Sequence, residues 1–221
     1  MLAAKLISNV IPSVRSNENG QKVLNTMDVF RVSHLPVVDE KRYVGLISDK
    51  FIYDLNLLNV SVDKEIDKFI TTHVHEDIHM FEVATLMYKL KLSVIPVLDS
   101  SHDYLGAISL YELARKFARY FSLQEPGGVI VLEVNLQDYS MTQISQIVES
   151  NETKILSFFL NPLAGTNRLE IILKLDKVDL SAVIQTFLRY DYNVKGVYMD
   201  HSMLTDLYQE RYQQFMKYMN I

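Results

Sequence analysis

Ser109 and Glu112 stand three residues apart directly after a short apolar run, a hydroxyl followed by a carboxylate at the spacing of a capping box. Such a pair can close the N-terminus of a helix, and capping alone accounts for both residues. The other group with chemistry in reach is His73, His75 and His79, since imidazoles at this spacing can bind zinc or nickel. They straddle a strand-to-helix junction where Asp77 is the expected N-cap, so they are expected to diverge. No spacing matches a zinc motif and no metal site is expected. His34, inside an apolar segment, reads as a structural residue. There is no Gly-x-Ser-x-Gly elbow, P-loop or dinucleotide glycine triad, and with no cysteine there is no thiol nucleophile. No enzyme is expected, and no catalytic residue is assigned.

The elements that must hold these residues are written twice. Val23, Met27, Ser33, Pro36, Val37, Asp39, Tyr43, Gly45, Ile47 and Ser48 recur as Val83, Met87, Ser93, Pro96, Val97, Asp99, Tyr104, Gly106, Ile108 and Ser109. The offset is 60 residues (96 − 36), then 61 (106 − 45) after one inserted residue in the turn. Such a period means one supersecondary unit stacked on its own copy, each too small to close a core alone. In each copy an extended segment leads into a helical spacing of apolar residues. Leu35–Asp39 or Ile95–Asp99 follows as a strand, then a polar turn, a second strand through the Gly, and a Ser able to cap the next helix. The mid-strand Gly marks close approach by another backbone or a ligand.

His34-Leu-Pro-Val-Val-Asp39 followed by Gly45-Leu-Ile-Ser48 resembles the cystathionine β-synthase (CBS) domain, and the tandem over roughly residues 5–121 resembles the CBS pair known as a Bateman module. The resemblance implies a regulatory module that binds adenine nucleotides or related ligands between its copies. In that family the second strand often ends in Gly-x-x-Ser/Thr-x-x-Asp, whose hydroxyl and carboxylate meet ribose and phosphate beside a helix N-terminus. Here Phe51 takes the acid position of the first copy, while the second keeps Ser109 and offers Glu112. A live site would therefore use Ser109 and Glu112. Family geometry adds the leading segments Ser13-Val14 and Thr72-His73-Val74 as cleft walls. The backbone there would read a purine edge, with Val74, Ile95 and Pro96 sandwiching its ring. Arg115 and Arg119 are candidate phosphate partners. The implied ligands are AMP, ADP, ATP or S-adenosylmethionine, with no firm cofactor.

Gln124-Glu-Pro-Gly-Gly128 reads as a linker. Beyond it the pattern is strand 129–134, a capping box Ser140-x-x-Gln143 opening a helix, strands 154–160 and 169–175, a helix about Leu180–Leu188 and strand 194–199. The order βαββαβ is the ferredoxin-like split unit. After a CBS pair it looks like an ACT domain, whose sheets commonly pair between subunits. The Asn135–Ser140 turn lacks the glycine of amino-acid-binding members, so sheet pairing is the expected role. Residues 202–221 read as an amphipathic helix, packing either on its own domain or on a neighbouring subunit.

The fold class is thus α+β: first CBS repeat 1–60, second CBS repeat 61–123, linker 124–128, ACT-like domain 129–200 and C-terminal helix 201–221. The whole is similar to acetoin-utilisation accessory proteins and to stand-alone bacterial CBS-domain proteins. The 221 residues are 48% hydrophobic and 22% charged, enough for two cores. A net charge of −5 argues against nucleic acid as the main partner. Lys5, Ser8 and Asn9 interrupt what a signal peptide would need as its apolar core. No apolar run nears membrane-spanning length, so a cytoplasmic protein without membrane contact is expected. The expectation is a non-catalytic, homodimeric sensor acting on an unknown regulated protein; the alternative is a ligand-free dimerisation scaffold.

Overall fold

The computed structural model describes residues 1–199, and the expected helix over 201–221 lies outside the described residues. The chain divides into two compact units, residues 1–117 and the residues from 118 onward.

In the first unit a 3-10 turn, Ala3–Leu6, precedes α1 (Gly20–Phe30), β1 (His34–Asp39), β2 (Arg42–Ser48) and α2 (Asp49–Asp54). A second 3-10 turn, Val62–Lys68, then leads into β3 (Val74–His75), α3 (Met80–Leu90), β4 (Val94–Leu98), β5 (Tyr104–Ser109) and α4 (Leu110–Tyr120). The duplication extends to backbone detail. Helices α1 and α3 both end on a left-handed residue, Arg31 (φ 52°) and Lys91 (φ 53°). Just past each, the N–H of Val32 or Leu92 returns to the carbonyl of Met27 or Met87 at 2.9 Å, closing the last turn. The antiparallel pairs β1–β2 and β4–β5 break register at matching points, Val37/Val38 and Val97/Leu98.

Each repeat has its own core, and each core borrows from the other's leading segment. Val23, Met27, Leu35, Val37 and Ile47 pack with Val62 and Phe69, although those two belong to the leading segment of the second repeat. Val83, Met87, Ile95, Val97 and Ile108 pack with Ala3 and Leu6 from the start of the chain. Backbone bonds hold the exchange: Ala3 N–H to Ile78 O (2.8 Å), Ser8 N–H to Ala107 O (2.8 Å), Val62 N–H to Glu18 O (2.9 Å) and Leu46 N–H to Ile70 O (2.7 Å). A division at residue 60 follows the written repeat, whereas each core draws on both sides of it. With its leaders crossed, neither copy buries its apolar face without the other.

The second unit contains β6 (Val129–Asn135), α5 (Met141–Ser150), β7 (Ile155–Pro162), β8 (Arg168–Leu175), α6 (Ser181–Arg189) and β9 (Asn193–Tyr198). Its sheet is ordered β7-β8-β6-β9 with every pairing antiparallel, and α5 and α6 supply Ile144, Ile147, Val148, Val183 and Phe187 to the core beneath it. Strands β7 and β8 run further into their turn than the apolar pattern suggested. Asn161 and Pro162 still pair with Glu170 and Leu169 there. Ser140 caps α5, its Oγ accepting from Gln143 N–H at 3.3 Å. The other half of the expected box is diverted: the Gln143 amide oxygen accepts from the Tyr192 hydroxyl at 2.7 Å.

Candidate functional site

Ser109 is buried at the end of β5, and its Oγ accepts the Glu112 N–H at 3.1 Å, capping α4. The Glu112 carboxylate turns to Arg115, accepting from Nη2 at 2.9 Å and Nε at 3.2 Å. The acid position of the second repeat is therefore held by its own helix and carries a neighbouring guanidinium. Arg119 is exposed in the last turn of α4.

The first repeat repeats the cap and changes the chemistry. Ser48 Oγ accepts the Phe51 N–H at 3.1 Å. The Phe51 ring packs edge-on against Phe69, centroids 5.6 Å apart, and Phe69 is only 6% exposed. The position expected to carry a carboxylate is here part of an apolar aromatic pair. The mid-strand glycines are explained by the same crossing segments. A Cβ on Gly45 would stand 2.6 Å from Phe69 Cβ, and one on Gly106 would collide with Ile7 Cγ2.

The expected cleft walls are distributed as follows. The Thr72 carbonyl accepts from the Tyr43 hydroxyl at 2.9 Å, which also donates to Ile70 O at 3.2 Å. Burial raises the Tyr43 and Tyr104 phenols well above the ordinary range, and Tyr104 adds to the effect on Tyr43. Val74 lies in β3, paired in parallel with Val97, and is 5% exposed. Ile95 and Pro96 are buried in β4, Ile95 completely, with Pro96 opposite Ala107 on β5. Val14 pairs with Val37, donating to Pro36 O at 2.9 Å. A cleft of about 390 Å³ is lined by His73 and Val74 together with His75, Ile78, Glu82 and Leu86. Thus His73 and Val74 share one concave surface, Ile95 joins Val74 in the core, and Ser109 and Glu112 sit at the start of α4.

The histidines depart from expectation in two ways. The N-cap of α3 is His79 rather than Asp77, its Nδ1 accepting from Phe81 N–H at 3.3 Å while Nε2 lies 3.0 Å from the N-terminal amine. So His79 does leave the group, but His73 and His75 stay together and are joined by His102. His102 lies in the β4–β5 turn, which carries the one residue inserted relative to the first copy. It goes unnoticed in sequence because 27 positions (102 − 75) separate it from His75. The signal was topological: β3 pairs in parallel with β4, so the end of β3 must lie beside the turn that leaves β4.

His34 sits on the seam between the repeats. The Ser93 N–H donates to its Nδ1 at 3.3 Å and Ser93 Oγ lies 3.1 Å from the same atom, while Ser33 N–H donates to Ser93 Oγ at 3.0 Å. An Nδ1 that accepts a backbone N–H is unprotonated. Burial accordingly lowers the His34 pKa from its ordinary 6.5, against an upward pull from Asp49.

In the second unit a cleft of about 420 Å³ is lined by Glu133, Asn135, Asp138, Gln143, Arg168 and Tyr192, among others. Glu133 there pairs with Arg168 at 2.7 Å and with Lys195 at 3.3 Å.

The model of the family described as "CBS domain" matches residues 3–50 and 66–119. A homoserine O-acetyltransferase of Methanosarcina acetivorans is 29% identical over 93 residues, covering 40% of this chain and 17% of that enzyme. The match therefore spans less than a fifth of the relative's length. Among solved structures, a CBS domain pair/ACT domain protein from Thermotoga maritima is 21% identical, covering 54% of this chain and 98% of that one, with a TM-score of 0.47. A CBS domain pair solved with 5′-methylthioadenosine and S-adenosyl-L-methionine is 26% identical, covering 54% of this chain and 97% of that one, with a TM-score of 0.44.

Proposed function

We propose that this chain, which carries two CBS domains in tandem, is a non-catalytic regulatory protein that senses an adenine nucleotide or related small ligand. CBS domains are in general regulatory rather than catalytic modules. The observation that carries the reading is the asymmetry of the two capped helices. At the acid position the second repeat presents Glu112 beside Arg115 and a buried cap hydroxyl, while the first presents Phe51. One site, served by Ser109 and Glu112 with the Thr72–Val74 segment and the Ile95-Pro96 strand behind it, follows from that asymmetry. Binding would select one arrangement of the repeats, and the βαββαβ unit, read as an ACT-like domain, would relay it to a regulated protein. A cytoplasmic location belongs to the same proposal; among the described residues no helix is long and apolar enough to cross a membrane. So does a homodimer. Helices α3 and α4 leave an apolar groove of about 730 Å³ lined by Met87, Tyr88, Leu92, Leu113 and Phe117, a surface suited to a second copy.

A thermal-shift series with AMP, ADP, ATP, S-adenosylmethionine and cyclic dinucleotides tests the sensor, because a ligand at 100 times its Kd adds about 2.7 kcal/mol to the folded state. A rise in Tm that Glu112→Ala abolishes supports the site. A rise unaffected by Glu112→Ala keeps the class and overturns the site. A second reading, a ligand-free dimerisation scaffold, is favoured by one observation: Ser109 and Glu112 already satisfy each other and Arg115. No shift at millimolar concentrations of all these ligands would favour it.

A further inference from the structure

The sheet of the second unit has two unlike faces. On one, Ile130, Leu132, Ile171 and Leu173 enter the core built with α5 and α6. Alternation along β6 and β8 puts Val131 and Ile172 on the other, outside that core and half-buried. Strand register extends this pair into a row across all four strands. Phe159 of β7 stands opposite Ile172, Ile172 opposite Val131, and Val131 opposite Gly196 of β9. Gly196 has no side chain to place there, and the Tyr198 ring leans over it instead, 3.2 Å from where a Cβ would be. Tyr198 is 66% exposed. At the opposite end Phe121 packs edge-on against Phe159, centroids 4.7 Å apart. An apolar belt therefore crosses the face from Phe159 to Tyr198. Lys174 flanks it on one side, donating to the Gly127 carbonyl at 3.0 Å, and Glu133 and Glu170 flank it on the other.

We propose that residues 201–221 of the same chain lie across this belt as an amphipathic helix and cover it. They stand outside the described residues, and their sequence supplies the matching face. Leu204, Leu207, Tyr208, Phe215, Tyr218 and Met219 recur at helical spacing, with Gln209, Gln213 and Lys217 opposite. The length fits too. As a helix, the stretch from Ser202 to Ile221 spans about 30 Å. Four strands of six to eight residues make a face whose diagonal is about 29 Å. The point of departure fits as well, since β9 ends at Tyr198, the residue that forms the belt's near end. A segment tethered there meets the belt at an effective concentration of about millimolar, which a second copy of the chain would have to match from free solution. The apolar stripe is broken once, by Arg211, and the belt's rim offers it a carboxylate with a neutral partner: Glu170 Oε2 accepts from the Asn161 amide at 3.0 Å. Covered in this way, the face is closed to a second copy, and the sheet can pair between subunits only along its edges.

The chain has no cysteine, so introduced ones report without background. Val131→Cys is placed in the full chain and its reaction with Ellman's reagent is timed. Adding Leu207→Asp and Phe215→Asp, which puts charges on the tail's apolar side, should speed labelling about tenfold as the thiol loses its cover. Adding Gln213→Asp, on the opposite side, should leave the rate unchanged. Ile172→Cys, the neighbour across the register, should respond in the same way, so the reading does not depend on one sheet variant. Mild oxidation of Val131→Cys combined with Leu207→Cys, Tyr208→Cys or Phe215→Cys then identifies whose tail it is, since a disulfide needs Cβ atoms within about 4.5 Å. An intrachain disulfide at monomer mass is expected in at least one of these pairs, and none with Gln213→Cys. Labelling indifferent to the tail charges at both sheet positions, no intrachain disulfide in any of the three pairs, or a covalent dimer in its place would overturn the proposal.

Discussion

The first and second repeats keep the same helix ends, the same register break and the same serine cap, then part at one position. Phe51 packs on Phe69 in the first, and Glu112 pairs with Arg115 in the second. The crossing leaders differ to match: bulky Phe69 lies over Gly45, and smaller Ile7 over Gly106. One copy has filled its share of the module with aromatic core, and the other has kept polar groups at the equivalent place. Duplication permits this because the crossed leaders make the two halves one folding unit. Extra packing in one half can support polar, less stabilising groups in the other.

The largest test of that contrast is truncation of the aromatic filler. Phe69→Ala removes a ring that is 6% exposed and undercuts Phe51, and should cost about 3–5 kcal/mol of unfolding free energy. Ile7→Ala, at the matching place over Gly106, removes a half-buried side chain and should cost less than half as much. Urea denaturation of both variants measures the difference. Equal costs would mean that the first repeat is not the more heavily packed of the two.

The duplicated plan was readable in sequence because its markers are stiff: Pro36 and Pro96 within strands, Gly45 and Gly106 under a crossing chain, Ser48 and Ser109 at caps. The exchange of leading segments was not. Ala3 and Leu6 carry an apolar signal that says they are buried but not in which core. The fate of Phe51 was half legible. Its type excluded a carboxylate role, but its partner Phe69 lies 18 positions (69 − 51) downstream across a turn. The histidine cluster failed for a similar reason, since local spacing grouped His79 with His73 and His75 and could not reach His102. Alternation and helical periodicity show which residues face inward. They are silent on which distant residues meet there.

A finer test uses what the repeats still share. Ser48→Ala and Ser109→Ala each delete a hydroxyl that accepts one N–H at a helix start, at 3.1 Å in both cases. Each should cost about 1 kcal/mol, and the two costs should agree within error if capping is all that either hydroxyl does. With saturating adenine ligand present, Ser109→Ala should lose more than Ser48→Ala. That divergence, read as a difference in Tm, separates the sensor from the scaffold independently of Glu112.

The smallest effect comes from the seam, where His34 of the first repeat matches Val94 of the second (94 − 34 = 60) and only the former can titrate. Its folded pKa lies below 6.5, so at pH values between the two the unfolded chain binds more protons than the folded one. The contribution to stability is whole above pH about 6.5, declines as pH falls toward the folded value, and then levels off. Urea midpoints at pH 7.5 and pH 5 should differ in that sense. His34→Val, which writes the second repeat's residue into the first, should remove this part of the slope. The variant also takes from Ser93 N–H its acceptor, at 3.3 Å, which lowers stability at every pH and leaves the slope untouched. A slope that survives the substitution would assign the acid sensitivity elsewhere and leave the seam symmetric in its protonation.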